Sequence, residues 1–475
     1  MTLLIASTFG DAPDVMPDVD LLELRIDGES LEEVEKHLPK RLSSINIPTV
    51  VTCRSVAEGG VFDGDEEERI EMYQIALNAS KPPRYIDIEY ESLIKDPLIL
   101  DKLELGSTDV ILSWHNTKGR PKNLNQIAKA MQEIPNIAIV KIVWRARSLR
   151  DNLEVFELLK TKQQPMIAMC MGEYGLMSRV LAPKFGGFAV FVALSDDKAT
   201  APCQPTVQVL KTIYNFDHIN KHTEVFGVIG SNVGNSLGMA FHNKAFLAGS
   251  KNAVYLPLAI PPEWEHLKAT TLDLINNESL DFKGASVTLP HKVNMLELAI
   301  RKEKNCETIG ATNTISISNE RRIFATNTDS QAIQELIGKP KNILILGTGG
   351  VARAAIVAAI NCGASVHLAG RNVEKAKAIA EEFGCNFAPT SMSTADAILN
   401  CTSVGMQGSE EPMGNPLKLL MPDVTLESHM LVFDTVYLPI NTPLIQHAIN
   451  AKCTIVTGDQ LFDKQAALQQ KHWYQ

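Results

Sequence analysis

The chain has 475 residues, of which 45% are hydrophobic and 21% charged, a composition typical of a folded protein with two or three domains. Its formal net charge of −10 disfavours nucleic acid as a main partner, because phosphate binding requires clustered lysine and arginine. The eight cysteines form no CxxC pair, so we expect neither a disulfide framework nor a metal site. No segment has the length and apolar character of a signal peptide or membrane span, so the sequence predicts a cytoplasmic protein without a membrane partner.

Eight short apolar segments recur through the first 200 residues and predict β-strands. Segments with helical spacing separate most of them, such as residues 66–80 and 124–134. This strand–helix alternation predicts a parallel (β/α)8 barrel, an α/β fold. The predicted strands are residues 2–7, 21–26, 48–54, 84–90, 109–114, 137–143, 165–171 and 188–194.

Ionisable side chains collect at the carboxyl ends of these predicted strands, where (β/α)8 barrels form their sites. Each has an ordinary structural alternative, such as an ion pair between Glu23 and Arg25 or a hydrogen-bonded loop histidine at position 115. Together they are hard to explain as solvated surface, and their convergence favours a catalytic site. The six residues are Glu23, Arg25, Arg54, His115, Lys141 and Arg179.

Lys141 is the most informative of the six because it interrupts the apolar segment "IAIVKIV" (137–143). Burial beside other cations lowers the pKa of an amine, and a neutral amine can attack a carbonyl to form a Schiff base. In that hypothesis His115 moves protons, Glu58 orients its imidazole, and Arg179 binds a substrate carboxylate. The alternative is a strand lysine paired with a carboxylate.

The motifs of this half resemble the type I 3-dehydroquinate dehydratase family in order and spacing. They are "ELRID" (23–27), "TCRSVAEGG" (52–60), "SWH" (113–115), "IVKI" (139–142), "MSR" (177–179) and "TAPCQ" (200–204). The resemblance implies that Lys141 forms an imine with the substrate ketone, while His115 removes the C2 proton and helps water leave. It also implies substrate contacts from Ser7, Glu23, Arg25, Arg54, Arg179, Thr200 and Gln204. Thr200 stands where many members have serine, and Cys203 where glycine is usual.

The two halves of the chain meet near residue 220. Residues 206–220, "TVQVLKTIYNFDHIN", predict a helix that leaves the barrel, and "KHTEVFGVIG" (221–230) begins a new strand. No linker rich in glycine, proline or serine separates the halves.

Residues 341–372 predict a strand, a helix and a second strand, with a GxGxxA motif where the first strand meets the helix. Glycines there let a pyrophosphate approach the helix N-terminus, although a tight turn is the structural alternative. The second strand is followed by Arg371 and by no acidic residue, which favours NADP over NAD. The predicted cofactor contacts in this unit are Gly347, Thr348, Gly349, Gly350, Val351, Ala352, Gly370, Arg371 and Asn372.

Lys292 and Asp329 lie upstream of this unit, in "GASVTLPHKVNM" (284–295) and "ATNTDSQA" (325–332). A surface salt bridge is the commoner explanation for such a pair. Hydride transfer to a ketone, however, requires a proton donor for the developing alkoxide, and a lysine beside a carboxylate would serve.

The second half resembles the shikimate dehydrogenase family. The motifs are "NSLGMAFHN" (235–243), "SVTLPHK" (286–292), "IGATNT" (309–314), "NTDSQA" (327–332), "ILNCTSVGM" (398–406), "DTVYLPINTPL" (434–444) and "GDQLFDKQA" (458–466). The resemblance implies a catalytic dyad of Lys292 and Asp329. It implies substrate contacts from Ser236, Thr288, Asn313, Tyr437 and Gln465, with Gly458 next to the cofactor. Gly238 replaces a second substrate-binding serine, and Gly370-Arg371-Asn372 departs from the usual Asn-Arg-Thr.

The whole chain resembles the fused dehydratase–dehydrogenases of the shikimate pathway. The resemblance implies a barrel at 1–220, a substrate domain at 221–330 completed by 446–475, and a Rossmann NADP-binding domain at 331–445. It predicts dehydration of 3-dehydroquinate to 3-dehydroshikimate, followed by NADPH-dependent reduction to shikimate, in a monomer or homodimer whose partners are small molecules. The alternatives are a Schiff-base aldolase joined to a quinate dehydrogenase, or one half decayed into a metabolite-binding module.

Overall fold

The computed structural model describes residues 1–11, 13, 18–195, 203–388 and 395–474. These residues form one sheet of eight strands and two sheets of six. The chain divides into two compact units. The first contains residues 1–224, 243–257 and 279–281, and the second contains residues 225–242, 258–278 and 282–475.

The first sheet is a nearly closed parallel barrel. Its strands are β1 (Leu3–Phe9), β2 (Leu21–Arg25), β3 (Thr49–Thr52), β4 (Tyr85–Glu89), β5 (Asp109–Asn116), β6 (Ile139–Arg145), β7 (Met166–Met171) and β8 (Ala189–Ala193). They neighbour one another in the order β7-β6-β5-β4-β3-β2-β1-β8, and the Phe188 N–H donates to the Met166 carbonyl, 2.8 Å away, where β7 and β8 begin. The predicted (β/α)8 barrel is confirmed.

The helices described around the barrel are α1 (Leu31–Ser44), α2 (Glu66–Leu77), α3 (Tyr90–Lys95), α4 (Ile99–Lys102), α5 (Leu124–Gln132), α6 (Asp151–Thr161) and α7 (Leu176–Val180). Local chemistry defines where they begin. Ser30 and Glu33 form a capping box at the start of α1, and the Asp65 side chain accepts from the Glu68 N–H at the start of α2.

The barrel interior is filled by apolar side chains that recur every second residue along the strands. Ile139 and Val143 of β6 belong to this interior cluster, together with Ile111 and Ile167 of the neighbouring strands. Because strand side chains alternate between faces, Lys141 must share the inward face of β6. The local pattern therefore directs this amine into the barrel.

The predicted helix over residues 206–220 is interrupted. The structure has a π-helical turn at Val209–Ile213 and a 3-10 turn at Phe216–His218, with Asn215 between them in the left-handed conformation (φ 51°). Asparagine tolerates this backbone conformation better than most residues, and its side chain donates to the Asn243 carbonyl at 3.1 Å. The prediction of one continuous helix was wrong at this residue.

The second sheet is mixed. Its strands are β9 (Glu224–Gly230), β10 (Ala253–Ala259), β11 (Phe282–Val287), β12 (Arg301–Lys302), β13 (Thr314–Ile317) and β14 (Ile323–Thr326). Five of them are neighbours in the order β9-β11-β13-β14-β12, and β13 runs antiparallel to both of its neighbours. The helices of this region are α8 (Gly238–Ala248), α9 (Trp264–Asn276), α10 (Lys292–Leu298), α11 (Lys304–Ile309) and α12 (Thr328–Ile337).

The third sheet is entirely parallel, with strands β15 (Asn342–Leu346), β16 (Ser365–Ala369), β17 (Asn386–Phe387), β18 (Ala397–Asn400), β19 (Leu431–Asp434) and β20 (Thr454–Val456). Its helices are α13 (Gly350–Asn361), α14 (Val373–Phe383), α15 (Pro416–Leu420) and α16 (Pro443–Asn450). Helix α17 (Gly458–Trp473) follows β20 and contacts the second sheet, where Gln469 Nε2 donates to the Thr314 hydroxyl at 3.0 Å. The order β17-β16-β15-β18-β19-β20 reverses direction beside β15, which is where Rossmann sheets bind dinucleotides. The predicted Rossmann fold is confirmed.

Strand β15 shows why this sheet is continuously apolar in sequence. Ile343 and Ile345 pack in the core on one face, while Leu344 and Leu346 pack in the core on the other. Both faces of a parallel sheet are covered by helices, so alternation of polar and apolar residues is lost.

In the part of the chain that the structure describes, no helix is long and apolar enough to cross a membrane.

Candidate active sites

A cavity of about 120 Å³ lies at the carboxyl ends of the barrel strands. Eight residues predicted from the sequence line it: Glu23, Arg25, Arg54, Glu58, His115, Lys141, Arg179 and Gln204. Gly59, Thr117, Val143, Met169, Met171 and Phe191 complete the lining. A larger cavity of about 600 Å³, lined by Thr2, Phe188 and residues 216–217 among others, contains none of the predicted residues. The smaller cavity is therefore the candidate site.

Two further predicted residues stand apart from this lining. Ser7 is fully buried on β1, and its hydroxyl has no hydrogen-bond partner among the described residues. A buried hydroxyl without a partner is unusual, so Ser7 stays a candidate substrate contact. Thr200 lies outside the described residues.

Lys141 projects into the cavity and is buried. Its Nζ lies 3.0 Å from Asp87 Oδ2 and 3.9 Å from the centre of the Phe191 ring. Burial lowers the pKa of Lys141; Asp87 opposes the shift, and Arg54 adds to it. The amine is thus less firmly protonated than an exposed lysine, as nucleophilic attack on a ketone requires.

His115 and Glu58 form the predicted pair, with 2.8 Å between His115 Nδ1 and Glu58 Oε2. Burial raises the pKa of Glu58 to about 8, and burial with the nearby cations Arg54 and Lys141 holds the pKa of His115 well below its usual value. The imidazole is therefore neutral near pH 7. Because Glu58 engages one ring nitrogen, proton exchange with a substrate falls to the other nitrogen.

Asp87 is the main residue that the sequence analysis missed. Its carboxylate accepts from Arg54 at 2.7 Å, from Lys141 at 3.0 Å and from the Ser113 hydroxyl at 2.5 Å. Burial opposes ionisation, but Arg54 and Lys141 outweigh it and lower the pKa of Asp87 to about 2. The signal was present: Asp87 and Glu89 alternate in the otherwise apolar strand β4, as Glu23 and Arg25 do in β2.

The lowered pKa of Asp87 predicts how the free energy of unfolding changes at acid pH. Its pKa is lowered from 3.8 to about 2 in the folded chain, so its contribution is complete above pH 5 and is lost as the pH falls towards 2. We expect the difference in unfolding free energy between the wild type and Asp87→Asn to shrink by about 2 kcal/mol over that range. Urea unfolding at a series of pH values measures it, and a difference independent of pH would contradict the assigned ion pairs.

Arg54 contacts several acidic side chains of the site. Its guanidinium donates to Asp87 and to Ser113 at 2.7 Å each, and lies 3.3 Å from Glu58 and 3.4 Å from Glu89. Most of its N–H groups are thus engaged by the protein, although the residue lines the cavity.

Arg179 differs from Arg54 in its hydrogen-bond partners. It is buried and donates to the Phe191 carbonyl at 3.0 Å, and no carboxylate pairs with it among the described residues. Burial lowers the pKa of Arg179 to about 10. A buried guanidinium without a counter-ion is well suited to a substrate carboxylate, which it can bind with two hydrogen bonds.

The ion pair considered between Glu23 and Arg25 does not form. Arg25 instead makes two 2.7 Å hydrogen bonds to Asp27, and Glu23 accepts from the Thr52 hydroxyl at 2.8 Å. Residues two apart on a strand share a face, but the long arginine side chain reaches the carboxylate beyond the strand end.

Lys292 and Asp329 form a second, separate constellation. Lys292 Nζ lies 2.5 Å from Asp329 Oδ2, and both side chains are buried at the first turns of α10 and α12. Asn313 Nδ2 lies 2.8 Å from the other oxygen of Asp329 and 3.1 Å from Gln465 Oε1. The predicted pair is therefore a buried dyad, and the surface salt bridge is excluded.

The other predicted substrate contacts of this half lack hydrogen bonds to the dyad among the described residues. The Ser236 hydroxyl accepts from the Gly238 N–H at 3.1 Å, at the start of α8. Thr288 directly follows β11, and the Tyr437 ring lies 6.1 Å from that of Phe462. Burial raises the pKa of Tyr437.

The loop after β15 fits a dinucleotide. Gly347 has φ 118°, and a Cβ there would lie 2.8 Å from the Cys401 carbonyl oxygen, so a side chain is excluded. A Cβ on Gly349, which precedes α13, would have no described atom within 4 Å, and this open space leaves room for phosphate at the helix N-terminus. A Cβ on Gly350 would lie 3.1 Å from the Lys292 side chain, so this loop adjoins the dyad.

The remaining cofactor candidates follow β15, β16 and β20. Thr348 adjoins Gly370, where a Cβ would meet its methyl group at 2.8 Å, and a Cβ on Gly458 would lie 2.4 Å from the Val436 backbone. Arg371 is exposed and lies 3.3 Å from Glu410, while Asn372 caps α14 by accepting from Lys375 N–H. Ala352 is fully buried in the core and the partly buried Val351 packs against it, so both contribute to the packing of α13.

Comparison with known proteins agrees with the presence of two separate sites, one in the barrel and one in the second half of the chain. Residues 8–221 match the type I 3-dehydroquinase family, and residues 228–315 match the substrate binding domain of shikimate dehydrogenase. Residues 342–404 match a family described as NADP oxidoreductase, coenzyme F420-dependent.

Three relatives illustrate the similarity. The bifunctional 3-dehydroquinate dehydratase/shikimate dehydrogenase, chloroplastic, of Arabidopsis thaliana is 32% identical, with 94% of this chain and 76% of that protein covered. This chain belongs to the bifunctional 3-dehydroquinate dehydratase/shikimate dehydrogenase family. Shikimate biosynthesis protein AroDE of Chlamydia pneumoniae is 25% identical, with 96% and 90% covered. Shikimate dehydrogenase (NADP(+)) of Syntrophobacter fumaroxidans is 35% identical, with 53% and 87% covered.

The family assignment confirms several predictions made from the sequence. The chain is a bifunctional enzyme with a type I 3-dehydroquinase half and a shikimate dehydrogenase half. The dehydrogenase half is NADP-dependent. An aldolase or a decayed binding module is therefore not supported.

Proposed function

We propose that the barrel cavity dehydrates 3-dehydroquinate to 3-dehydroshikimate, with Lys141 as the nucleophile. The single observation that carries this proposal is the convergence of Lys141, the His115–Glu58 pair and Arg179 on one cavity. The Lys141 amine adds to the substrate ketone and expels water to form an imine. His115 then removes the C2 proton, and the protonated imidazole gives a proton to the departing hydroxyl, which leaves as water.

The other barrel residues bind or position in this proposal. Arg179 holds the substrate carboxylate, and Asp87 keeps the amine in place before reaction. Hydrolysis of the product imine releases 3-dehydroshikimate and regenerates Lys141. Glu23, Arg25, Gln204 and Ser7 are proposed as contacts to the substrate hydroxyls.

The second site is proposed to reduce 3-dehydroshikimate to shikimate. NADPH, when bound, supplies the hydride. Lys292 gives a proton to the developing alkoxide, and Asp329 holds the lysine at 2.5 Å. Asn313 and Gln465 lie within hydrogen-bond distance of each other beside the dyad and would bind the substrate hydroxyls. Gly347, Gly349 and the N-terminus of α13 would hold the pyrophosphate.

Domain limits, assembly and location are also proposals. The limits near residues 220 and 330 are supported by the last strands of the first two sheets, which end at Ala193 and Thr326. The third limit moves from residue 445 to the end of β20, because β20 (Thr454–Val456) pairs with β19 in the third sheet. Helix α17 is proposed to complete the substrate domain, since its Trp473 donates to the Ile315 carbonyl of β13 at 3.0 Å. A monomer or homodimer is proposed and can be measured by light scattering. The cytoplasmic location stays a prediction.

The decisive experiment is incubation of the full chain with 3-dehydroquinate and NADPH. We expect shikimate to form and NADPH to be consumed in equal amounts. Accumulation of 3-dehydroshikimate with no oxidation of NADPH would contradict the second activity. Oxidation of quinate at a rate equal to that of shikimate would favour the quinate dehydrogenase alternative for this half.

Arg371 gives a separate prediction about the cofactor. We expect Arg371→Ala to raise the KM for NADPH about tenfold and to leave the KM for NADH nearly unchanged, because only NADPH carries a 2′-phosphate. Steady-state kinetics with both cofactors measures this. Lys377→Ala, at an exposed position farther along α14, is the control, and an unchanged NADPH-to-NADH ratio in Arg371→Ala would contradict the assignment.

A further inference from the structure

Glu89 is a buried carboxylate that does not line the barrel cavity but touches the machinery around it. It lies at the end of β4 and is 3% exposed. Its Oε1 accepts from the Ser55 N–H at 2.8 Å and lies 3.4 Å from Arg54, while its Oε2 accepts from Arg69 at 2.8 Å. The carboxylate therefore joins an outer helix to the loop that follows β3.

That loop contains Glu58, the partner of His115. It forms a 3-10 turn at Val56–Glu58 that begins immediately after Ser55. The turn is packed closely on the strand end, since a Cβ on Gly60 would lie 2.1 Å from the Arg54 carbonyl oxygen. The Ser55 N–H is the point at which Glu89 anchors the turn. A shift of this anchor would carry Glu58 with it.

Arg69 fixes Glu89 from the outside. It projects from α2, is 3% exposed, and binds the Glu66 carboxylate with contacts of 2.6 to 2.9 Å. It also donates to the Ser92 hydroxyl. A guanidinium with several hydrogen-bond partners is rigid. Arg69 therefore restricts rotation of the Glu89 carboxylate, which would be free in a surface carboxylate.

We propose that Glu89, held by Arg69, is a positioning residue for the dehydratase. It fixes the 3-10 turn that presents Glu58 to His115. The proposal rests on the roles proposed above for His115 and Lys141. It assigns the Glu89–Arg69 pair to the proton-transfer step and not to imine formation.

Glu89→Gln is the informative variant because it preserves size and one acceptor oxygen but removes the charge and the second strong acceptor. The amide can satisfy the Ser55 N–H or Arg69, and not both as well as a carboxylate does. Displacement of a catalytic group by about 1 Å can cost about 100-fold in rate. We expect kcat for dehydration to fall about 10- to 100-fold, with KM changed less than about threefold. Arg69→Lys, which keeps the charge but loses the planar fork, should show a smaller decrease.

Two further measurements separate positioning from a loss of stability. Trapping of the 3-dehydroquinate imine with borohydride should label Lys141 in Glu89→Gln as fast as in the wild type. The deuterium isotope effect with substrate labelled at C2 should increase, because proton removal becomes slower relative to the other steps. A loss of folded protein would instead lower trapping and turnover in parallel and leave the isotope effect unchanged.

The controls are variants outside the site. Val155→Ala removes fully buried methyl groups on α6 and lowers stability without touching the site. Asp109→Asn removes a strand carboxylate that pairs with Arg84 at the exposed start of β5. Both should keep the wild-type kcat and isotope effect at a temperature where each variant is folded.

The outcomes are distinguishable. If Glu89→Gln keeps a wild-type kcat and isotope effect, or loses activity only where it unfolds, as Val155→Ala does, the positioning role is wrong. If the wild type itself gives no adduct at Lys141, the proposed mechanism fails, whatever Glu89 does. A reduced rate with normal trapping and an increased isotope effect supports the positioning role.

Discussion

Replacing Lys141 with methionine is expected to abolish dehydration of 3-dehydroquinate, with a decrease of about three orders of magnitude or more in kcat. The thioether side chain fits the same buried space but cannot form an imine, so the covalent route is lost. Asp87 keeps Arg54 and Ser113 as partners in the variant, which limits the number of unpaired buried charges. Formation of 3-dehydroshikimate is followed directly by its absorbance.

The second half of the same chain is the internal control. Reduction of added 3-dehydroshikimate by NADPH should be unchanged in Lys141→Met, because the dyad lies in a different compact unit of the chain. Borohydride with 3-dehydroquinate should label Lys141 in the wild type and leave the variant unlabelled. Dehydration at more than a few per cent of the wild-type rate would rule out Lys141 as the essential nucleophile.

Replacing Lys292 with glutamine is expected to lower kcat for reduction of 3-dehydroshikimate by about 10²- to 10⁴-fold, the range typical of a lost general acid. The neutral amide can still contact Asp329 but cannot supply a proton to the alkoxide at neutral pH. Oxidation of NADPH in the presence of 3-dehydroshikimate measures the effect.

Two comparisons make that result specific. Lys302→Gln, at an exposed position on β12, should keep full activity. Dehydration by the barrel should be the same in Lys292→Gln and the wild type. Because removal of Lys292 leaves a buried carboxylate without its cation, thermal unfolding should be measured alongside. A dehydrogenase rate within about fivefold of the wild type in folded Lys292→Gln would contradict the proposed proton donor.

The sequence predicted correctly those features that depend on residues a few positions apart. The eight barrel strands lie within a few residues of the predicted segments, because strands buried on both faces leave continuous apolar runs that helical segments separate. The inward direction of Lys141 followed from its neighbours Ile139 and Val143 through the two-residue repeat of a strand. The GxGxxA motif likewise placed Gly347 and Gly349 at the start of α13.

The pairing of charged groups was not predictable in the same way. Lys141 meets Asp87, which is 54 residues away in sequence, and His115 meets Glu58 across 57 residues. The second contact was predicted and the first was missed, because several carboxylates at neighbouring strand ends are equivalent in sequence. Arg25 is a second example. It pairs with Asp27, although Glu23 is equally far from it along the chain.

Sequence alone determined which residues are buried strands, where the glycines permit a phosphate, and which ionisable side chains stand at strand ends. Apart from the Lys292–Asp329 dyad and the His115–Glu58 pair, only the folded chain decided which cation each acid neutralises. The physical reason is that burial and backbone conformation are governed by residues a few positions apart, whereas an ion pair depends on ångström-scale distances between side chains brought together by the whole barrel. Within the described part of the chain, those distances leave Arg179 without a carboxylate partner and give Lys141 the carboxylate of Asp87.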